Sequence, residues 1–196
     1  MKLSKNWSEV TIRQYQALAL LKQDDQIEYL VNVIAILARV PVEEVEALSL
    51  EQLKKFSAQT IFLNRLPDSE KIATKVRING LHYKLNLGVQ DLSFGQYIDQ
   101  KTIAKLDHIE NMHKFLAVRL IPMERKYFVV WREGAYKGID HAQELQDNLT
   151  MDVAYPIFVF FLNVWQKLVP GIQDYLINKS RSQTEILKKQ IELSQN

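Results

Sequence analysis

A helix-start signature that occurs twice, 82 residues apart, constrains this chain more than any other feature. In the first copy, Val10-Thr11-Ile12-Arg13-Gln14-Tyr15, Thr11 is a natural N-cap, and Gln14 can reach back to the Thr11 amide. Val10 before the cap and Tyr15 after it form a hydrophobic staple. The second copy, Leu92-Ser93-Phe94-Gly95-Gln96-Tyr97, reproduces cap, box and staple. The same offset sets Asp107 on Asp25, Ile109 on Ile27, Glu110 on Glu28 and Ala117 on Ala35. Of the 29 pairs aligned over residues 10–38, six are identical where chance gives roughly two, and eight more exchange similar residues. Pro41 and Pro122 close the two stretches one residue out of register, and Leu48-Ser49-Leu50 then answers Leu149-Thr150-Met151. Amphipathic helices resemble one another without common origin. Reuse of three cap positions at one offset nevertheless favours duplication.

Helical patterning fills each half. The first helix is expected from Thr11 to about Lys22, and a second from the Asp25 cap, with Ile27, Leu30, Val31, Ile34 and Ala38 at helical spacing. Val33, Ile36 and Leu37 widen its apolar face, which predicts a place in the middle of a bundle. Pro41 opens a short acidic helix, and Ser49 with Gln52 caps a fourth that ends near Leu63. The period then changes. Residues 75–87 alternate around Asn79-Gly80, the pair that a type I′ hairpin turn requires, which sets Ile78 opposite Leu81 and Val76 opposite Tyr83. A lone hairpin is marginal in water, so it must lie on the helices or extend another sheet. Residues 127–140 carry a β-like apolar run and two glycines, read as a short strand, a hairpin or a long loop.

The expected fold is mainly α (α+β), with two related helical halves joined by a β-hairpin at about 74–87. Its parts are an N-terminal half over 1–70, the joint over 71–90, a second half over 91–170 with the 127–140 insertion, and a polar tail over 171–196. That tail is read as a frayed helix or a flexible segment.

Composition narrows the chemistry. The 196 residues are 47% hydrophobic and 24% charged, enough for a real core without staples. There is no cysteine, which removes disulfide scaffolds, zinc ribbons and thiol nucleophiles. Net charge is +2, too balanced to announce nucleic acid; residues 71–140 hold twelve basic and seven acidic side chains, an excess that surface Lys and Arg explain. The N-terminal segment shows no apolar signal region, and the apolar run over 153–165, thirteen residues, is short of the roughly twenty that span a bilayer. A soluble, intracellular protein is expected.

No catalytic motif is present. His108 and His113 diverge on a helix, and Glu110-x-x-His113 is one half of a di-iron motif that needs a second copy. The paired acids Asp24-Asp25 and Glu43-Glu44 sit at helix starts, where the macrodipole accounts for them. The reading is therefore no enzyme, no metal and no cofactor. The aromatics offer more. Tyr155, Phe158, Phe160, Phe161 and Trp165 share one apolar helix, as core or as the wall of a partner groove. Trp131 and Tyr136 lie in the insertion beside Arg132 and Lys137, suited to protein contact or to a local mini-core. Trp131, Tyr136 and Trp165 are the candidate partner-binding residues.

Residues 27–63, IEYLVNVIAILARVPVEEVEALSLEQLKKFSAQTIFL, resemble a pattern of the tail assembly chaperones of tailed bacteriophages. That pattern is a hydrophobic helix, a tight turn, an acidic segment and a helix ending in Phe-Leu. The stretches WSEVTIRQYQAL and LSFGQYIDQ resemble the opening segments of larger, duplicated phage proteins of this kind, so the likeness spans roughly residues 7–165. The resemblance implies a mainly helical protein of the host bacterium's cytoplasm. It would bind the tape-measure protein, keep its helices soluble and help tail-tube protein polymerise, with no cofactor, nucleic acid or membrane. Size and the central hairpin depart from the family's commonest form. The alternative is a structural tail or neck protein of the virion, in which the hairpin would augment a neighbour's sheet.

Overall fold

The computed structural model describes residues 1–22, 24–88, 92–126, 130–136 and 138–164. The chain is a mixed α+β fold with two compact units, residues 1–158 and residues 159–196. The first unit holds the helices α1 (Ile12–Ala19), α2 (Gln26–Ala38), α3 (Val42–Glu46) and α4 (Leu50–Gln59), the last running into a 3-10 turn over Thr60–Asn64. Strands β1 (Lys75–Ile78) and β2 (Leu81–Leu85) follow, then α5 (Phe94–Ile103), α6 (Met112–Arg119), β3 (Leu120–Lys126), β4 (Val130–Glu133) and α7 (Ala142–Asn148). A further helix starts at residue 151; its residues 159–164 are what is described of the second unit.

Both capping boxes form. Thr11 Oγ1 accepts from the Gln14 amide while Gln14 Oε1 accepts from the Thr11 amide, and Ser93 and Gln96 repeat this at α5. The amide nitrogens of the two glutamines, free of the cap, then do a second job. Gln14 Nε2 donates to the carbonyl oxygens of Ile36 (2.9 Å) and Leu37 (3.3 Å) at the end of α2. Gln96 Nε2 donates to Val118 O (2.9 Å) at the end of α6. Ile36 and Val118 are 82 residues apart, as are Gln14 and Gln96. Each glutamine thereby pins the start of one helix to the last turn of the next, where the regular i→i−4 bonding of the carbonyls ends. Asp25 and Asp107 also match: each carboxylate accepts from the amides two and three residues on.

The helices depart from expectation in two places. α1 stops at Ala19, not Lys22: after the Leu20 amide closes the last α turn on Gln16 O (3.2 Å), the Leu21 amide turns to Leu18 O (3.3 Å), an i→i−3 bond that tightens the chain out of the helix. Residues 107–111 form a turn, so α6 begins later than its counterpart α2.

The hairpin has the expected register, Val76 opposite Tyr83 and Ile78 opposite Leu81. It does not stand alone. β2 pairs with β3 and β3 with β4, all antiparallel, in a four-stranded sheet of order β1-β2-β3-β4. The inserted β structure thus begins at Leu120 rather than at 127, and Pro122, expected to close a helix, lies inside β3 opposite Tyr83. Proline is tolerated there because the strand uses its carbonyl, which accepts from the Gly134 amide (3.0 Å) on the β4 side. The inner face carries Val76, Ile78, Tyr83, Leu85 and Leu120, all buried.

The core of the first unit gathers Ile12, Ile34, Leu37, Met112, Leu116, Leu145, Met151 and Ile157. It draws on both halves of the chain. The Ile12 amide donates to Leu149 O (3.1 Å) and the Met151 amide to Val10 O (2.8 Å), an antiparallel bridge between the two helix starts. Phe158 meets Phe115 of α6 edge to face, with ring centroids 5.7 Å apart.

Candidate partner-binding surface

α2 buries its C-terminal half alone. Its buried residues are Val33, Ile34, Ala35 and Leu37, whereas Ile27 is 71% exposed and Val31 half-buried. α4 has no buried residue at all, although its sequence is amphipathic, and Leu50 is 79% exposed. Between them lies α3, anchored by buried Val45 and opened by Pro41, whose fixed φ suits a helix start. The result is a cleft of about 630 Å³ lined by Ile27, Val31, Val42, Leu48, Leu50 and Leu53. Its polar lining includes Asp25, Glu28 and Glu46, and no lysine or arginine. Hydrogen bonds from the Glu28 and Ile27 amides hold the Asp25 carboxyl below its usual range, so it is charged at neutral pH.

A second apolar hollow, about 710 Å³, lies where Trp7 meets the 3-10 turn, lined by Ile61, Phe62, Leu66 and Pro67. The Trp7 indole N–H donates to Arg65 O (2.8 Å) and its ring meets Phe62 edge-on at 5.3 Å. Ile61 and Leu66 are exposed.

The aromatics singled out in sequence take other places. Trp131 is 42% exposed on the outer face of the sheet, its ring 4.5 Å from that of His82. Tyr136 is half-buried; its hydroxyl donates to Asp99 Oδ2 (2.6 Å), and its ring lies 3.6 Å from where a Gly95 side chain would begin. Burial, then the bond to Asp99, push the Tyr136 hydroxyl pKa upward. Tyr136 therefore ties the loop after β4 to α5, and neither residue lines the α2–α4 cleft. Trp165 and the tail over 171–196 lie outside the described residues.

The histidines are held by their own chain. His113 Nδ1 accepts from Gln16 Nε2 (3.2 Å), which also donates to Ile109 O and Glu110 O, while Gln146 Nε2 donates to Gln16 Oε1 (2.6 Å). His141 Nε2 donates to Leu120 O (2.9 Å) and its ring stacks on Tyr83. Burial lowers the pKa of both. Among the described residues, no group of three His, Asp or Glu is placed to hold a metal, and no helix is long and apolar enough to cross a membrane.

The sequence pattern set Ile27 and Val31 on an apolar face expected in the middle of a bundle and missed the cleft. Its trace was there: α2 is apolar around most of its circumference, more than one packed neighbour can cover. No family model matches the chain, and no curated protein or solved structure is significantly similar to it.

Proposed function

We propose that this protein is an assembly chaperone of the phage tail type, which holds apolar helices of a tape-measure protein in the host cytoplasm until tail-tube protein takes them over. The observation that carries this reading is the α2–α4 cleft, an open apolar trough walled by helices on a charged protein. Apolar side chains that a folded monomer leaves together on its surface mark interaction sites. The role needs no catalysis, cofactor or nucleic acid. In this reading the chain arose by duplication of one helical unit, with the hairpin at 74–87 as the joint. The matched bonds of Gln14 and Gln96, and of Asp25 and Asp107, support that origin.

Co-expression with the tape-measure protein tests it. The chaperone should co-purify with tape-measure protein and be missing from finished particles. Tape-measure protein that stays soluble without it would refute the reading. A structural tail or neck protein is the second reading, favoured by one feature: among the described residues β1 is an edge strand of the sheet, of the kind that can pair with a neighbour's strand. That role predicts a fixed copy number in particles.

A further inference from the structure

We propose that the α2–α3–α4 cleft is built for a basic amphipathic helix of the partner; this rests on the chaperone reading and adds the chemistry of the segment it binds. Residues 24–59, from the α2 cap to the end of α4, contain seven acidic side chains and three basic, Arg39, Lys54 and Lys55. Arg39 points its guanidinium at Gln14 Oε1 (3.3 Å) and does not line the cleft. Asp25, Glu28 and Glu46 are thus the charged groups that line the apolar floor; Glu43, Glu44 and Glu51 are exposed on the same elements, as are Lys54 and Lys55 of α4, which do not line the cleft.

The walls decide the shape of the occupant. They are helices, with no strand edge to pair an extended peptide, so the apolar floor suits anchors at i, i+3 or i+4 and i+7 of a helix. Lysine or arginine flanking those anchors would meet the acidic border at short range. A second copy of this chain fits poorly. A two-fold contact through this cleft would place the two acidic borders against each other, and like charges facing across an interface cost affinity. An acidic helix or an anionic lipid surface meets the same repulsion.

The probes are two labelled synthetic helices of one apolar pattern, one leucine–lysine and one leucine–glutamate, titrated with the full chain by fluorescence anisotropy. The leucine–lysine helix should bind at least about ten-fold tighter at low salt, an advantage that shrinks once the Debye length falls to about 3 Å near 1 M salt. Ile27→Ser with Leu50→Ser should weaken it about ten-fold while the circular dichroism and melting temperature stay put, because both side chains are exposed. Glu28→Lys with Glu46→Lys should reverse the preference toward the leucine–glutamate helix. Equal affinity for the two probes overturns the proposal, as does binding indifferent to the cleft variants. A dimer that Leu50→Ser dissociates in sedimentation would make a second copy the occupant and overturn it too. The two levels separate cleanly. If tape-measure protein is retained but the cleft variants do not release it, the cleft assignment fails and the chaperone reading stands. If the basic helix binds the cleft but tape-measure protein is not retained, the chaperone reading fails and the chemistry of the cleft stands.

Discussion

Two glutamines carry an unusual share of the work at the level of single residues. Gln14 and Gln96 are each nearly buried, cap one helix through the side-chain oxygen and tie another through the nitrogen. Substituting either by alanine removes a cap and the buried hydrogen bond that ties it to the next helix. Each of Gln14→Ala and Gln96→Ala should therefore cost about 1–3 kcal/mol in urea unfolding, where an exposed glutamine would cost almost nothing. The capping half of this was legible in sequence, because box and staple are local. The tie to Ile36 and Val118 was not, since it depends on how the next helix returns. His113 and His141 make the second prediction at this scale. Their folded-state pKa values are lowered by burial, so the unfolded chain takes up protons first as pH falls. Their contribution to stability is complete above the unfolded value of about 6.5 and is lost progressively below it. A protonated His113 could no longer accept from Gln16 at Nδ1. Urea midpoints should drop between neutral pH and pH 5.5, and His113→Gln should flatten that slope; an unchanged slope would remove His113 from the account.

Turn chemistry decides what the hairpin tolerates at the level of elements. Asn79 and Gly80 have φ of 48° and 81°, both in the left-handed region that a type I′ turn demands. A Cβ on Gly80 would meet nothing within 4 Å, so the cost of Gly80→Ala is the backbone's alone, roughly 1–2 kcal/mol by thermal or urea unfolding. The hairpin and its register were readable because two adjacent strands and a two-residue turn are a local pattern. β3 was not. Its partners β2 and β4 are chosen by tertiary pairing, and Pro122 disguises it as the end of a helix. The loop after β4 shows the same division. Tyr136 suited either a partner contact or a local mini-core in sequence, and its hydroxyl is bonded to Asp99 on α5. Tyr136→Phe should lower stability by about 1 kcal/mol, and a partner-binding loss in Tyr136→Ala must be corrected for a loosened loop.

The halves of the whole molecule are interlocked within residues 1–158. The Val10–Met151 and Ile12–Leu149 backbone bonds and the Gln16 amide, held by Ile109, Glu110 and Gln146, tie α1 to the second half. A chain of residues 1–70 alone would lose every one of these partners and uncover Ile12, Ile34 and Leu37. It should show weak, non-cooperative thermal unfolding by circular dichroism, and a sharp transition would mean that the first half is self-sufficient. The sequence by itself determined the starts of α1 to α5, the Asn79-Gly80 turn, the strand pairing next to it and the 82-residue echo. All of these rest on contacts within a few residues, where cap chemistry and periodicity leave few alternatives. Only the tertiary structure decided which apolar faces were covered. α2 and α4 both read as amphipathic or core helices, but one core of limited size can bury only so many stripes. Ile12, Ile34 and Leu116 fill it, and Ile27 and Leu50 are left at the surface as the walls of a cleft. Competition among faces for one interior involves every element at once, which no window of sequence contains.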